Sequence, residues 1–187
     1  MIQFQVHQLK PFPATLVPPG TPYSMTVNVG VSIPEVIEVY HDSGRDPHPP
    51  DIALCQAKSR LAVCTDPNTE DRNWIPLTHS AETCVKAIRG AWDDHGRSFL
   101  AAFGSREDFV RCFREGGKLP GHADTTSAWQ IVILLVCLRR ESDAREVIAT
   151  ETARFEGMRA SEGYLKHLRR MFERAQQRVA RTTELER

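Results

Sequence analysis

The sequence predicts an α+β fold, in which an antiparallel sheet formed by residues 2–77 packs against helices. Up to about residue 78, apolar residues alternate with polar ones or form short β-branched runs between prolines, as is typical of strands. Beyond that point apolar residues recur every three or four positions almost to the C-terminus, which is typical of amphipathic helices. Strands followed by a run of helices predict that the helices cover the sheet rather than alternate with its strands.

The front portion contains two clear strand patterns and three shorter segments. Ile2–His7 alternates apolar and polar residues, and Tyr23–Ile33 does so over a longer stretch. Pro34–Tyr40 fits a short strand or one helical turn, and Ile52–Cys64 fits a third strand or a short helix. Trp74–Leu77 fits a fourth strand. We therefore expect three to five strands.

The first helix is expected to begin after Ser80, a good N-cap residue. Its apolar stripe is then formed by residues at helical spacing: Val85, Ile88, Trp92, His95, Phe99 and Phe103. A second helix should begin at Ser105, which forms a capping-box-like start with Asp108, and should end at Gly116-Gly117.

Three more helices are predicted at about 125–140, 142–157 and 161–181. The first of them is apolar nearly all round and should therefore be central. These patterns divide the chain into an α+β core domain, residues 1–121, and a helical extension packed on it, residues 122–187.

Composition narrows the classes of partner and compartment. The chain has 24 basic and 24 acidic residues, so its net charge gives no general reason to expect a polyanion partner. The number of cysteines is odd, no pair has CxxC spacing, and no secretory pattern opens the chain. The long apolar run from Ala128 to Leu138 is shorter than the ~20 residues that cross a bilayer. These features favour a cytoplasmic protein with no membrane partner.

Several short motifs resemble the DUF4304 family of bacterial domains. The strand sequence Ile2-Gln3-Phe4-Gln5 and the stretch Thr26–Val31 match its first two strands. Cys55, the pair Arg60-Leu61 and Trp74 follow in the order typical of that family, as does the helical stretch Ser98–Leu100 with Phe103. The resemblance covers residues 2 to about 118.

That resemblance implies a bacterial domain and carries no established activity or catalytic residues with it. Members usually have a helical segment before the first strand, whereas here Met1 adjoins that strand. We therefore expect a version shortened at its N-terminus, with a sheet edge or face that a partner covers.

The loop from His41 to Asp51 contains side chains that commonly ligate metals. His41, Asp46 and His48 are the candidate ligands, and Pro47, Pro49 and Pro50 stiffen the loop. A polar surface loop is the simpler interpretation, since no second ligand cluster accompanies these residues, and the metal site is the alternative. No cofactor is expected from the sequence.

The last helix is locally basic. Residues 159–187 contain 8 Lys/Arg against 4 Asp/Glu, and Lys166, Arg170 and Arg174 fall on one helical face. These three residues are the candidates for nucleic-acid binding, although a solvated helix face is the simpler explanation of the pattern and no base-reading motif accompanies it.

Since no catalytic motif is found in the sequence, the leading hypothesis is a non-catalytic protein-interaction module. It would be an adaptor or an immunity or defence component that binds another protein or a second copy of itself. The alternatives are a small metal-dependent hydrolase that uses the His41–Asp51 loop, and a nucleic-acid-binding protein that uses the last helix.

Overall fold

A computed structural model of the chain describes residues 2–8, 24–41, 55–60, 75–76, 80–156, 158 and 161–185. It confirms the predicted α+β class: an antiparallel sheet comes first, and helices dominate the rest. The described residues form two compact units, and each is presented below by itself.

The first unit, residues 1–31 and 50–104, contains the sheet. Its described strands are β1 (Ile2–Gln8), β2 (Ser24–Val31), β3 (Ala57–Arg60) and β4 (Ile75–Pro76). β2 pairs antiparallel with each of the other three, in the order β1-β2-β3 with β4 also on β2. The third and fourth strand patterns are thus confirmed, since β3 lies within Ile52–Cys64 and β4 within Trp74–Leu77.

A helical segment packs against β2 in the same unit. It consists of α2 (Ala81–Ala91), a π-helical turn (Trp92–Gly96) and α3 (Arg97–Ala101). Ser80 caps α2 as predicted, because its Oγ accepts a hydrogen bond from the Thr83 backbone N–H at 3.2 Å. The fully buried Val29 of β2 contacts Ile88, Ala91, Trp92 and Phe99, so the helices do cover one face of the sheet.

The prediction of one regular stripe along this segment is wrong in two respects. Val85 is 62% exposed, because the described contacts of the helix with Val29 begin one turn later, at Ile88. The π-helical turn at Trp92–Gly96 also interrupts the spacing, since an extra residue in a turn rotates everything that follows.

The second unit, residues 32–49 and 105–187, is helical where it is described. It contains α1 (Pro34–His41), α4 (Arg106–Gly116), α5 (Asp124–Cys137), α6 (Glu141–Phe155) and α7 (Glu162–Leu185). Nine residues of α5 are buried, and α5 packs against each of the other four helices. This confirms the predicted central position of the apolar run.

Segment 34–41, which the sequence leaves open between strand and helix, is a helix of two turns. Pro34 occupies its first position, where proline is well tolerated because the N–H would have no helical partner. Val36 and Val39 are buried at i, i+3 spacing, and the carbonyl of Ile33 accepts hydrogen bonds from the N–H groups of Val36 and Ile37. The β-branched residues Val36 and Val39 therefore form the buried face of a helix in this segment.

Ion pairs join α1 to two neighbouring helices of its unit. Glu35 pairs with Arg106 at the start of α4, and Glu38 pairs with Arg178 of α7. Because α1 has only two turns, these contacts and its two buried valines fix its position. The division at residue 121 and the packing of an extension on a core stay predictions.

None of the described helices is both long enough and apolar enough to span a membrane.

Candidate anion-binding cleft

A cleft opens between α1 and α7 on the surface of the helical unit. It encloses about 160 Å³ and is lined by six residues: Glu38, Val39, Arg174, Gln177, Arg178 and Arg181. Positions 174, 178 and 181 of α7 lie three and four apart, so their guanidinium groups follow one face of that helix. We call this feature the arginine cleft.

Arg178 is anchored at the edge of the arginine cleft by Glu38. Its Nε and Nη2 both donate to Glu38 Oε2, at 2.8 and 2.5 Å. Desolvation lowers the pKa of Arg178, but the hydrogen bond and charge of Glu38 outweigh it, so that the pKa lies above its ordinary value. Arg178 therefore stays charged and is held in one orientation.

The other two arginines of the cleft have no carboxylate within ion-pair distance among the described residues. Arg174 donates one long hydrogen bond from Nη1 to the Tyr40 carbonyl, at 3.5 Å. Arg181 is exposed. With Glu38 counted, the lining carries two positive charges in excess.

An aromatic stack lies next to the cleft, and Arg174 links the two. The rings of Tyr40 and Trp129 are nearly parallel, at 15°, with centroids 4.9 Å apart. His167 of α7 meets both rings edge-on, at 6.5 Å from Tyr40 and 5.8 Å from Trp129. Tyr40 is 43% exposed, so one large planar side chain is offered to a ligand beside a row of cations.

The three basic residues singled out from the sequence have different positions. Arg174 lines the arginine cleft, and Arg170 lies near His167, whose pKa it influences. Lys166 and Arg170 are exposed. The sequence interpretation left Arg178 out of its candidate set, although continuing the four-residue step beyond Arg174 points to it, and it missed Arg181. It also missed Tyr40 and Trp129, which belong to separate helices.

Comparison with known proteins finds no match to this chain: no family model, no curated protein and no solved structure is similar to it. The resemblance to the DUF4304 family therefore stays a prediction.

Only one of the three predicted metal ligands falls among the described residues. His41 ends α1, where its ring contacts that of Tyr40 edge-on at 4.9 Å. Asp46 and His48 lie outside the described residues. Within the described ranges, no group of three His, Cys, Asp or Glu side chains is placed to hold a metal ion. The metal site in this loop therefore stays a prediction.

Two of the described cysteine side chains, Cys112 and Cys137, favour the thiol form. Burial raises the pKa of Cys137, and burial together with the charge of Glu115 raises that of Cys112. Cys55, two residues before β3, is buried. Because the thiolate is the nucleophile, a raised pKa makes Cys112 and Cys137 poor candidates for covalent chemistry.

We expect His167 to make the stability of the helical unit depend on pH. Burial lowers its pKa below the ordinary 6.5, and the charges of Arg170 and Arg174 lower it further, while Tyr40 and Trp129 cover its ring. The unfolded chain then binds the proton more readily, so this contribution is complete above about pH 6.5 and is lost as the pH falls below it.

Thermal melts of the wild type and of His167→Gln at several pH values between about 7 and 5 will test this expectation. The Tm of the wild type should fall further on acidification than the Tm of the variant. Because both proteins share every other histidine, the difference between their pH slopes reports on His167. Equal pH slopes for the two proteins would contradict it.

Proposed function

We propose that this chain is a non-catalytic binding module that takes an acidic segment of a protein partner into the arginine cleft. The observation that carries the proposal is the concentration of Arg174, Arg178 and Arg181 beside the stacked Tyr40 and Trp129. Tyr, Trp and Arg are the residue types that dominate the energetic centres of protein interfaces.

The chemistry of the lining favours binding over catalysis. Guanidinium groups remain protonated at all ordinary pH values, so they donate hydrogen bonds and charge but do not exchange protons with a substrate. Their planar fork matches the two oxygens of a carboxylate, which is why an acidic partner is expected. Glu38 shows that a guanidinium group of the cleft binds a carboxylate, since Arg178 donates two hydrogen bonds to one of its oxygens.

The aromatic stack supplies the second element of such an interface. Tyr40 is only partly covered by Trp129 and His167, and both aromatic side chains belong to helices with buried anchors. Rigid aromatic side chains bury a large area at a small entropic cost, so an apolar side chain of the partner is expected to pack on Tyr40. The role of adaptor, or of immunity or defence component, is consistent with a surface of this kind.

A second candidate is the binding of single-stranded nucleic acid. The observation that favours it is the exposed ring of Tyr40 next to Arg174, because bases stack on aromatic side chains while cations follow the backbone. The protein partner is preferred because Tyr40 is the one exposed aromatic residue among the described side chains, whereas single-strand binders stack successive bases on several rings.

Fluorescence anisotropy with labelled probes will test the proposal. We expect a short peptide of alternating Glu and Leu residues with a central Trp to bind, and its Lys counterpart not to bind. Arg174→Ala should weaken binding of the acidic peptide about tenfold, because it removes one charged hydrogen-bond donor group. Arg169→Ala removes an exposed arginine of the same helix outside the cleft and is the matched control.

Two results would decide against a protein partner. The first is that oligo-dT binds more tightly than the acidic peptide, with an affinity that depends steeply on salt. This result would show that the cleft binds nucleic acid. Equal affinity of the acidic peptide for the Arg174→Ala and Arg169→Ala variants would show that the cleft is not its site.

A further inference from the structure

We propose that the arginine cleft selects a phosphomonoester, carried on a serine or threonine of the partner segment, over a carboxylate. This inference rests on the proposed function and names the chemical group that the site recognises. It is argued from the charge left over in the cleft, from the donors that remain open, and from the space available.

The charge left over in the cleft matches a dianion. Arg178 is neutralised by Glu38, whereas Arg174 and Arg181 have no carboxylate partner among the described residues. A single carboxylate would compensate one of these two charges. A phosphomonoester carries about −1.5 to −2 near neutral pH and compensates both.

The donors that remain open exceed what a carboxylate can accept. Arg178 uses two of its five N–H groups on Glu38 and Arg174 uses one on Tyr40, while their other N–H groups have no hydrogen-bond partner among the described residues. A carboxylate has two oxygens, whereas a phosphoryl group presents three strong acceptors to several guanidinium groups at once. The two hydrogen bonds from Arg178 to Glu38 use Nε and Nη2, so this ion pair does not take up the N–H groups of Nη1.

The space also suits a tetrahedral group. The cleft encloses about 160 Å³, which is roughly ten times the volume that a single ordered water requires. The hydrogen bond from Arg174 to the Tyr40 carbonyl places the aromatic stack directly beside this space. The expected occupant is therefore a phosphorylated residue followed or preceded closely by an apolar one.

Nucleic acid is the less favoured source of phosphate. Each phosphodiester of a single strand carries one negative charge, so it offers the cleft no more charge than a carboxylate does. A cleft that selects a dianion should therefore bind a phosphorylated protein segment more tightly than a nucleic acid. The test includes both ligands.

Anisotropy titrations of the full chain with three matched peptides will test the inference. The labelled peptides share one Leu- and Trp-containing sequence and differ at a single position, which is phosphoserine, Glu or Ser. We expect the phosphoserine peptide to bind about tenfold more tightly than the Glu peptide, and the Ser peptide to bind least. Arg181→Ala should remove most of that preference, whereas Arg169→Ala should retain it.

A second variant keeps the test independent of any effect on folding. Glu38→Gln removes the carboxylate that competes with the ligand and leaves all three arginines in place. We expect it to bind the phosphoserine peptide several-fold more tightly than the wild type does. Weaker binding by Glu38→Gln would overturn the inference, because it would show that the carboxylate contributes to the ligand site instead of competing with it.

The outcomes separate this inference from the proposed function. Equal affinity for the phosphoserine and Glu peptides would overturn the selection for phosphate and leave the acidic-segment proposal standing. Binding of neither peptide would overturn both. Tighter binding of oligo-dT than of the phosphoserine peptide would also overturn both and assign the cleft to nucleic acid.

Discussion

Truncation of Leu134 to Ala is expected to lower the free energy of unfolding by about 2–5 kcal/mol. Leu134 is 1% exposed and lies in the last turn of α5, the helix that packs against α1, α4, α6 and α7. These neighbouring helices surround α5 on several sides, so they cannot all move inward to fill the cavity that the truncated Leu134 side chain leaves. The loss therefore includes the transfer free energy of the removed carbons and the cost of the cavity.

The chain offers a matched control for this prediction. Leu185 at the end of α7 is 88% exposed, so Leu185→Ala deletes the same atoms without emptying a packed site. We expect its effect to stay within about 0.5 kcal/mol. Urea unfolding followed by the helical circular dichroism signal will compare the two variants. Equal unfolding midpoints would contradict the central position of α5.

The features that the sequence predicted correctly are those set by neighbouring residues. The start of α4 is an example, since the Ser105 backbone N–H and hydroxyl both donate to Asp108 Oδ2, at 2.7 and 2.8 Å. Its end is another, because Gly117 adopts a φ of 71° that favours glycine. The apolar run in α5 predicted burial because no face of that helix is polar enough to meet solvent.

The features that the sequence could not supply depend on contacts between distant elements. Segment 34–41 is too short for periodicity to separate helix from strand, and its packing against α5 and α7 decides the outcome. Glu38 and Arg178 are 140 positions apart, so the edge of the arginine cleft has no local pattern. The same is true of the stack of Tyr40, Trp129 and His167, which come from three helices.

Val85 illustrates the opposite error, in which a local pattern predicts more than the fold uses. Its spacing from Ile88 and Trp92 fits an apolar stripe, yet it is 62% exposed because the described contacts with Val29 do not reach its turn. Periodicity shows which face of a helix is apolar. How much of that face becomes buried depends on the surface against which the helix packs.

Replacement of Tyr164 by Phe is expected to lower the free energy of unfolding by about 1–3 kcal/mol. The Tyr164 hydroxyl donates to Oε2 of Glu151 at 2.6 Å, and Glu151 is only 6% exposed. Among the described residues, Arg154 also pairs with this carboxylate, at a longer 3.5 Å, and with Asp124 at 2.9 Å. Burial, followed by the hydrogen bond and charge of Glu151, raises the pKa of Tyr164 far above 10, so the hydroxyl remains a donor.

The loss of stability arises because Tyr164→Phe leaves the buried Glu151 carboxylate without the hydroxyl that donates to it. A second substitution isolates this effect. In a Glu151→Met background no buried charge remains to be satisfied, so Tyr164→Phe should cost much less there than in the wild type. Tyr40→Phe is the matched control, because Tyr40 is 43% exposed and its contacts with Trp129 and His167 involve the ring. Chemical unfolding of the four proteins of the cycle gives the coupling free energy directly. A Tyr164→Phe effect of the same size in both backgrounds would show that the hydroxyl stabilises α6 and α7 independently of Glu151.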